Sequence, residues 1–190
     1  MSKLTTVFIA LLAVQAGDVP SGRADSTWQQ DDVAVLSAVL STCCEPAGAT
    51  SYFVVPDQHL EVTDFISGAL PSSPEVRELL ERNATPGRLP DFQPCACMHV
   101  EPASEVGAAL KAAGPPSKPP QPGWEGFYFR YRGARGIFRV TLPGYTADHT
   151  AAVVVVGGSC GPLCGSGILH HLEKKNGKWQ VVRRATLWVS

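Results

Sequence analysis

Asn176-Gly177 constrains this chain more than any other dipeptide in it. It separates a run of alternating residues, Ile168 to Lys175, from the strand-like run KWQVVRRATLWVS. Asn-Gly accepts the positive φ angles of a type I′ turn, so the two runs are predicted to fold back on each other as a hairpin. Strand periodicity puts Ile168, His170 and Leu172 on one side, and Leu169, His171 and Glu173 on the other. Upstream, Val153 to Val156 is an unbroken β-branched run, which suits a strand buried on both faces. Gly136 to Leu142 reads as a further strand, closed by the turn residues Pro143-Gly144. The expected C-terminal unit is therefore an antiparallel meander. Trp179 and Val181 are expected in its core, and Trp188 at its end.

Between the valine run and the hairpin lies Gly157 to Gly167, which holds five glycines together with Cys160 and Cys164. Glycine opens backbone conformations closed to other residues and permits close approach of a ligand. The stretch is read as a long loop stapled by a Cys160–Cys164 disulfide. Gly158, Ser159, Gly161 and Gly165 are its candidate ligand-binding positions, with backbone N–H groups able to hold an anion or carboxylate.

The first residues set the compartment. Met1-Ser2-Lys3 is a short basic start, followed by a mostly apolar run from Leu4 to Val14. Small residues occur where a signal peptidase reads, at Val14-Gln15-Ala16 and again at Gly22-Arg23-Ala24. Residues 1–24 are thus expected to be a signal peptide, and the protein secreted or periplasmic. The apolar run is too short to span a bilayer, and no membrane span is expected elsewhere. All six cysteines lie beyond it. An even number in an exported chain favours disulfides, with Cys43, Cys44, Cys95 and Cys97 as the candidates besides Cys160 and Cys164. Two bridges from the Cys43-Cys44 pair to the Cys95/Cys97 pair give the simplest pattern, because bonds within such close pairs are strained.

Residues 25–190 read as one α+β domain. A first helix is expected over Gln29–Cys44, capped by Asp31 or Asp32, with Val33, Leu36, Val39, Leu40 and Cys43 on its apolar face. Tyr52 to Val55 is a short strand. Asp57 and His59 follow it, at a strand end where sites often form. Ser73-Pro74-Glu75 opens a second helix that runs to about Asn83. Asn83-Ala84-Thr85 fits a glycosylation sequon. PCACMHV, Pro94 to Val100, gathers soft metal ligands but matches no spaced zinc pattern. Residues 114–123 are a Pro-rich extended loop. Trp124 to Tyr131 is expected to re-enter the fold as an aromatic strand. The fold expected is two N-terminal helices packed on an antiparallel sheet of about five strands.

Two motifs carry possible chemistry. Gly157-Gly158-Ser159-Cys160-Gly161 matches G-x-S-x-G after a buried strand, which makes Ser159 a candidate nucleophile for a serine hydrolase. No helix pattern follows it, however, and no acid stands between Ser159 and His170, as the hydrolase order requires. Cys160-x3-Cys164 followed by His170 resembles the copper-binding arrangement of cytochrome oxidase assembly proteins and binuclear copper centres. Thiolate and imidazole would suit copper or thiol-redox work. No other cofactor motif is present, and no cofactor is expected.

A wider resemblance covers about a third of the chain. GIFRVTLPGYTADHTAAVVVV, GPLCGSG, HLEKKNGKW and LWVS, between Gly136 and Ser190, resemble the C-terminal half of an uncharacterised family of exported, mainly bacterial proteins. That resemblance implies a shared sheet and loop and no particular activity.

Charge is divided along the chain. Asp25 to Trp124 holds 5 Lys and Arg against 13 Asp and Glu, a net of −8, whereas Glu125 to Ser190 holds 9 against 3, a net of +6. Arg130, Arg132, Arg139, Arg183 and Arg184 are the candidates for a basic sheet face that attracts an acidic protein or a small anion. The near-neutral total of −1 argues against nucleic acid. The function expected is a non-enzymatic binding or interaction module. A hydrolase or a copper or thiol-redox protein is the alternative.

Overall fold

A computed structural model describes residues 24–43, 51–62, 70–92, 95–113 and 123–190, with side chains from Trp28 onward. The expected signal peptide except its last residue, Ala24, together with Cys44 and most of the Pro-rich loop, lies outside these residues. In chain order the described elements are α1 (Ala24–Ser41), β1 (Tyr52–Pro56), α2 (Pro74–Arg82), β2 (Met98–Glu101), α3 (Ala103–Lys111), α4 (Trp124–Arg130), β3 (Ala134–Val140), β4 (Gly144–Tyr145), β5 (Ala151–Gly161), β6 (Cys164–Lys175) and β7 (Lys178–Val189).

The architecture is α+β, built on one mixed sheet in the order β2-β1-β3-β5-β6-β7, with β4 paired to β5. The C-terminal half is the expected antiparallel meander, turned at Asn176-Gly177, both of which have positive φ. The sheet as a whole is not antiparallel, because β1 runs parallel to both β2 and β3. Parallel neighbours need crossovers, and helices supply them here. Helices cover both faces. On one face α1 packs Val35, Leu36, Val39 and Leu40 against Val154, Val156, Leu172 and Trp179. On the other, α2 sets Val76 and Leu79 on Val153, Val155 and Leu169. Beside them α3 and α4 cover Val54 and Ile137. The valine run is therefore sandwiched between layers, as its lack of alternation implied.

Three expectations are corrected. Trp124 to Tyr131 is not a strand, for α4 occupies it. Trp124, Phe127, Tyr128 and Tyr131 recur at helical spacing and stack on one another, with ring centroids 5.1–5.7 Å apart. Gly126 lets this helix lie close to α3, where an added Cβ would stand 2.9 Å from that of Ala112. The helix α3 was not foreseen. Its first N–H, on Ala103, donates to the Asp57 carboxylate (2.8 Å), which caps it from a neighbouring strand end.

The Gly- and Cys-rich stretch is not a long loop either. β5 and β6 run through it to a turn at Pro162-Leu163, with Ser159 in register with Gly165 and Gly161 with Cys164. Gly158, Gly165 and Gly167 are there for space rather than for unusual backbone angles. A Cβ on Gly158 would stand 2.8 Å from the Phe138 ring, and one on Gly167 would collide with the Trp188 indole. Aromatic side chains thus lie across bare backbone and fill what the glycines leave open.

Candidate functional site

A buried polar network joins segments far apart in sequence. Asp31 and Asp32 were expected to cap a helix starting at Gln29. Instead α1 begins earlier, and both lie inside it, pointing to different partners. Asp32 is only 5% exposed. Both its oxygens accept from the Arg82 guanidinium of α2, at 3.0 and 2.7 Å, and Oδ1 also accepts from the Tyr145 hydroxyl at 2.8 Å. A buried carboxylate is tolerable only with such pairing, and a two-point guanidinium contact is its strongest form. Burial, and then the charge on Asp32, push the Tyr145 phenol well above its ordinary range, so it stays a donor. Arg82 further lies 5.6 Å from the ring centroids of both Trp28 and Tyr145.

Asp31 faces the meander. It accepts from Lys174 Nζ (2.8 Å) and Trp179 Nε1 (3.0 Å), and His149 Nδ1 is 3.8 Å away. Burial opposes its charge, but Lys174, Trp179 and His149 outweigh that and hold its pKa below the usual carboxylate value. His149 stacks on Tyr145, with centroids 4.9 Å apart, and meets Trp28 edge-on at 4.2 Å.

Beside Asp32 the surface opens into a cleft of about 510 Å³. α1 forms one wall with Gln29, Asp32 and Val33, and Arg88, Leu89, Pro90, Asp91 and Leu142 form the rest. Its size falls in the range of small-molecule sites, and it mixes apolar walls with a few convergent polar groups.

The network continues through α2 to a second, smaller cavity. Asn83, fully buried, donates to the carbonyls of Leu79 (2.7 Å) and Leu142 (3.0 Å) and accepts from Leu142 N–H (2.7 Å). The sequon at Asn83 is thus closed in the folded chain. Next to it His59 is buried, and burial first, with the nearby charge of Arg82, lowers its pKa. The cavity it borders, about 230 Å³, is also lined by Gln58, Glu61, Arg139 and the start of α3. It lies past the carboxyl end of β1, the central strand of the parallel trio, where α/β sheets commonly place ligands.

The structure scatters the other residues expected to act. Ser159 sits within a strand rather than on a strand-to-helix elbow. His170 pairs with Val154, five residues along β5 from Ser159, which is about 17 Å of strand. Cys160 and Cys164 stand at disulfide distance, Cα atoms 5.1 Å apart, as expected. His170 lies six residues beyond Cys164 on the same strand, about 20 Å away. The Cys160, Cys164 and His170 ligand set is therefore not assembled, and no group of three potential metal ligands converges among the described residues. Gly158, Ser159, Gly161 and Gly165 share the ladder of a hairpin and form no anion-holding loop. Cys43, expected to bridge to the Cys95/Cys97 pair, instead carries a free thiol, so the two bridges expected from Cys43-Cys44 are not both formed. The sulfurs of Cys95 and Cys97 are 3.6 Å apart, and Cys95 Sγ is 3.8 Å from the Leu40 carbonyl, so this pair does face the end of α1. Met98 is in the core, and His99 stacks on Tyr52.

Nor do the five arginines share one face. Arg130 pairs with Glu105, Arg132 lies over Phe129, and Arg139 borders the His59 cavity. Arg183 and Arg184 are opposite His171 and His170, on the two faces of β7. Among the described residues no helix is long and apolar enough to cross a membrane. No protein-family model, curated protein or solved structure matches the chain.

Proposed function

We propose that this chain is an exported binding module, secreted or periplasmic, and a member of the exported family that its Gly136–Ser190 stretch resembles. The cleft beside Asp32 is its ligand site. One observation carries the reading: a buried carboxylate held at three points by Arg82 and Tyr145 opens directly on a cavity of about 510 Å³. Groups fixed in this way present the same geometry with or without a ligand, which limits the ordering that binding requires. The remaining lone pair of Asp32 suits a donor on a small, otherwise neutral molecule. Val33, Leu89, Pro90 and Leu142 suit its apolar body.

The test is a small-molecule screen by ligand-observed NMR against the wild type and Gln29→Phe. Gln29 is exposed at the cleft wall, so the added ring fills the cleft without entering the core. Hits should lose binding in the variant. Hits that bind it unchanged, or a screen without hits, would defeat the cleft assignment. Export is tested separately by intact mass of secreted protein. A mature species that keeps Met1 to Ala16 would end that part of the proposal.

A further inference from the structure

The sheet ends on β7, and β7 is an unusual edge. It is 12 residues long, whereas β2, on the opposite edge, has 4. It pairs with β6 on one side and with nothing on the other among the described residues. Long edges with free N–H and C=O groups invite another strand, and proteins usually shorten or cover them. This one remains open and carries exposed apolar side chains, Val182 at 43% and Val189 at 74%.

Its charges are unmatched. Lys178, Arg183 and Arg184 are exposed, and none is in an ion pair among the described residues. Because Arg183 and Arg184 project to opposite faces, an added strand would meet a guanidinium whichever way its side chains alternate. Along the α2 face of β7 runs a groove of about 490 Å³, floored by Leu169, Ala185 and Leu187 and bordered by His171, Arg183 and Glu75. At its wall Ser73 Oγ is buried without a hydrogen-bond partner, although Ser73 precedes α2 at the cap position. A buried hydroxyl without a partner is rare in a folded protein and marks the groove wall as unfinished.

We propose that the outer edge of β7 is a docking site at which an extended, acidic segment of a partner protein adds as a further strand. Main-chain hydrogen bonds to β7 supply the attachment. Apolar side chains of the segment enter the groove, and its carboxylates pair with Arg183, Arg184 and Lys178. Charge selects this occupant over a second copy of the chain, because β7 laid against β7 would set arginine near arginine. Glu75 at the groove wall makes the groove itself suit apolar side chains, so the acidic positions belong along the strand.

The experiment uses the mature protein and a labelled octapeptide of alternating glutamate and valine, read by fluorescence anisotropy. A lysine–valine octapeptide serves as the opposite-charge control. The glutamate peptide should bind at low salt, weaken about tenfold or more at high salt, and bind Arg183→Glu/Arg184→Glu at least about tenfold more weakly. Val182→Pro tests the backbone separately. Val182 has no register partner on β6, so proline there perturbs the backbone of the edge without replacing a paired residue. Both variants are checked by near-UV circular dichroism, and the exposed arginines allow the charge reversal to fold even if the proline variant does not. Equal binding of the lysine peptide, binding indifferent to the arginine reversal, or no binding at low salt overturns the proposal. So does self-association of the free protein that the arginine reversal leaves intact.

Discussion

His170 is a histidine where a leucine would fit. It lies on β6 between core positions, opposite Val154 and Arg184, and is 2% exposed. Both its ring nitrogens are buried without a hydrogen-bond partner. The groups that face or adjoin it are Arg184 across the ladder and His171 beside it, neither of which can stabilise an imidazolium. Burial first, then the charges of Arg184 and His171, push its pKa from 6.5 to about 4. The unfolded chain therefore binds a proton in a window where the folded one does not. Stability from this residue is complete above about pH 6.5 and is lost as pH falls toward 4, by roughly 3 kcal/mol in all. Between about pH 7.5 and about pH 5 the loss is about 2 kcal/mol.

His170→Leu removes the titrating group and both unpaired atoms while roughly keeping volume. Urea unfolding of wild type and variant at about pH 7.5 and about pH 5 gives the difference directly, because the other carboxylates and histidines are common to both proteins. The variant should equal or exceed the wild type at the higher pH, since an unpaired buried polar atom costs about 1–3 kcal/mol. At the lower pH it should lead by a further margin of about 2 kcal/mol. Parallel pH dependence of the two proteins would refute the reasoning. So would a variant clearly weaker at the higher pH, which would mean that the ring makes a bond the fold needs.

Other consequences are simpler to read. Arg82→Met leaves Asp32 buried without its partner and should cost about 3–5 kcal/mol in urea unfolding, and a near-neutral result would contradict the pairing. Tyr145→Phe removes only the hydroxyl that Asp32 accepts and should cost about 1–2 kcal/mol by the same assay. Gly144→Ala would set a Cβ 2.6 Å from that of Leu79 and closer still to the α2 backbone, so α2 must move, at about 1–3 kcal/mol or more. The Cys43 thiol is pushed above its ordinary pKa by burial, so alkylation near pH 8 should be slow in the folded protein and fast in urea; rapid native labelling would count against its half-buried place at the end of α1.

The fold was legible where local pattern and final structure agree. The Asn176-Gly177 turn, the valine run and the Ser73-Pro74-Glu75 helix start are signals contained in a few residues, and each formed as expected. Patterns with two readings were not decided by local sequence. Trp124 to Tyr131 is rich in strand-forming aromatics, yet its large rings recur at helical spacing, and packing of Phe127 and Tyr131 beside α3 decided for the helix. The glycines of β5 and β6 look like loop residues until the partners are known. Phe138 lies twenty residues from Gly158, and Trp188 lies twenty-one from Gly167. A glycine that opens room for a ring leaves no mark in its own neighbourhood.

The same distance hid the site. Asp32 meets Arg82 across 50 residues and Tyr145 across 113, and Asp31 meets Lys174 across 143. Each of these residues has an ordinary local role: a cap, a last-turn basic residue, a turn aromatic, a strand-end lysine. Only topology gives them a common one. Because β4 pairs with β5, Tyr145 lies beneath α1; because α2 crosses the same sheet, Arg82 reaches Asp32 from the side. One signal was available. Asp31-Asp32 sits just ahead of the apolar stripe of a helix that extends further back than its caps suggested, so two acids were left inside the helix and needed partners. The acidic first half and basic second half of the chain say where those partners come from: Lys174 belongs to the second half. Part of the charge asymmetry is thus spent on holding α1 to the meander. The arginines of β7 are in no ion pair among the described residues, and they stand on the edge where we propose that a further strand adds.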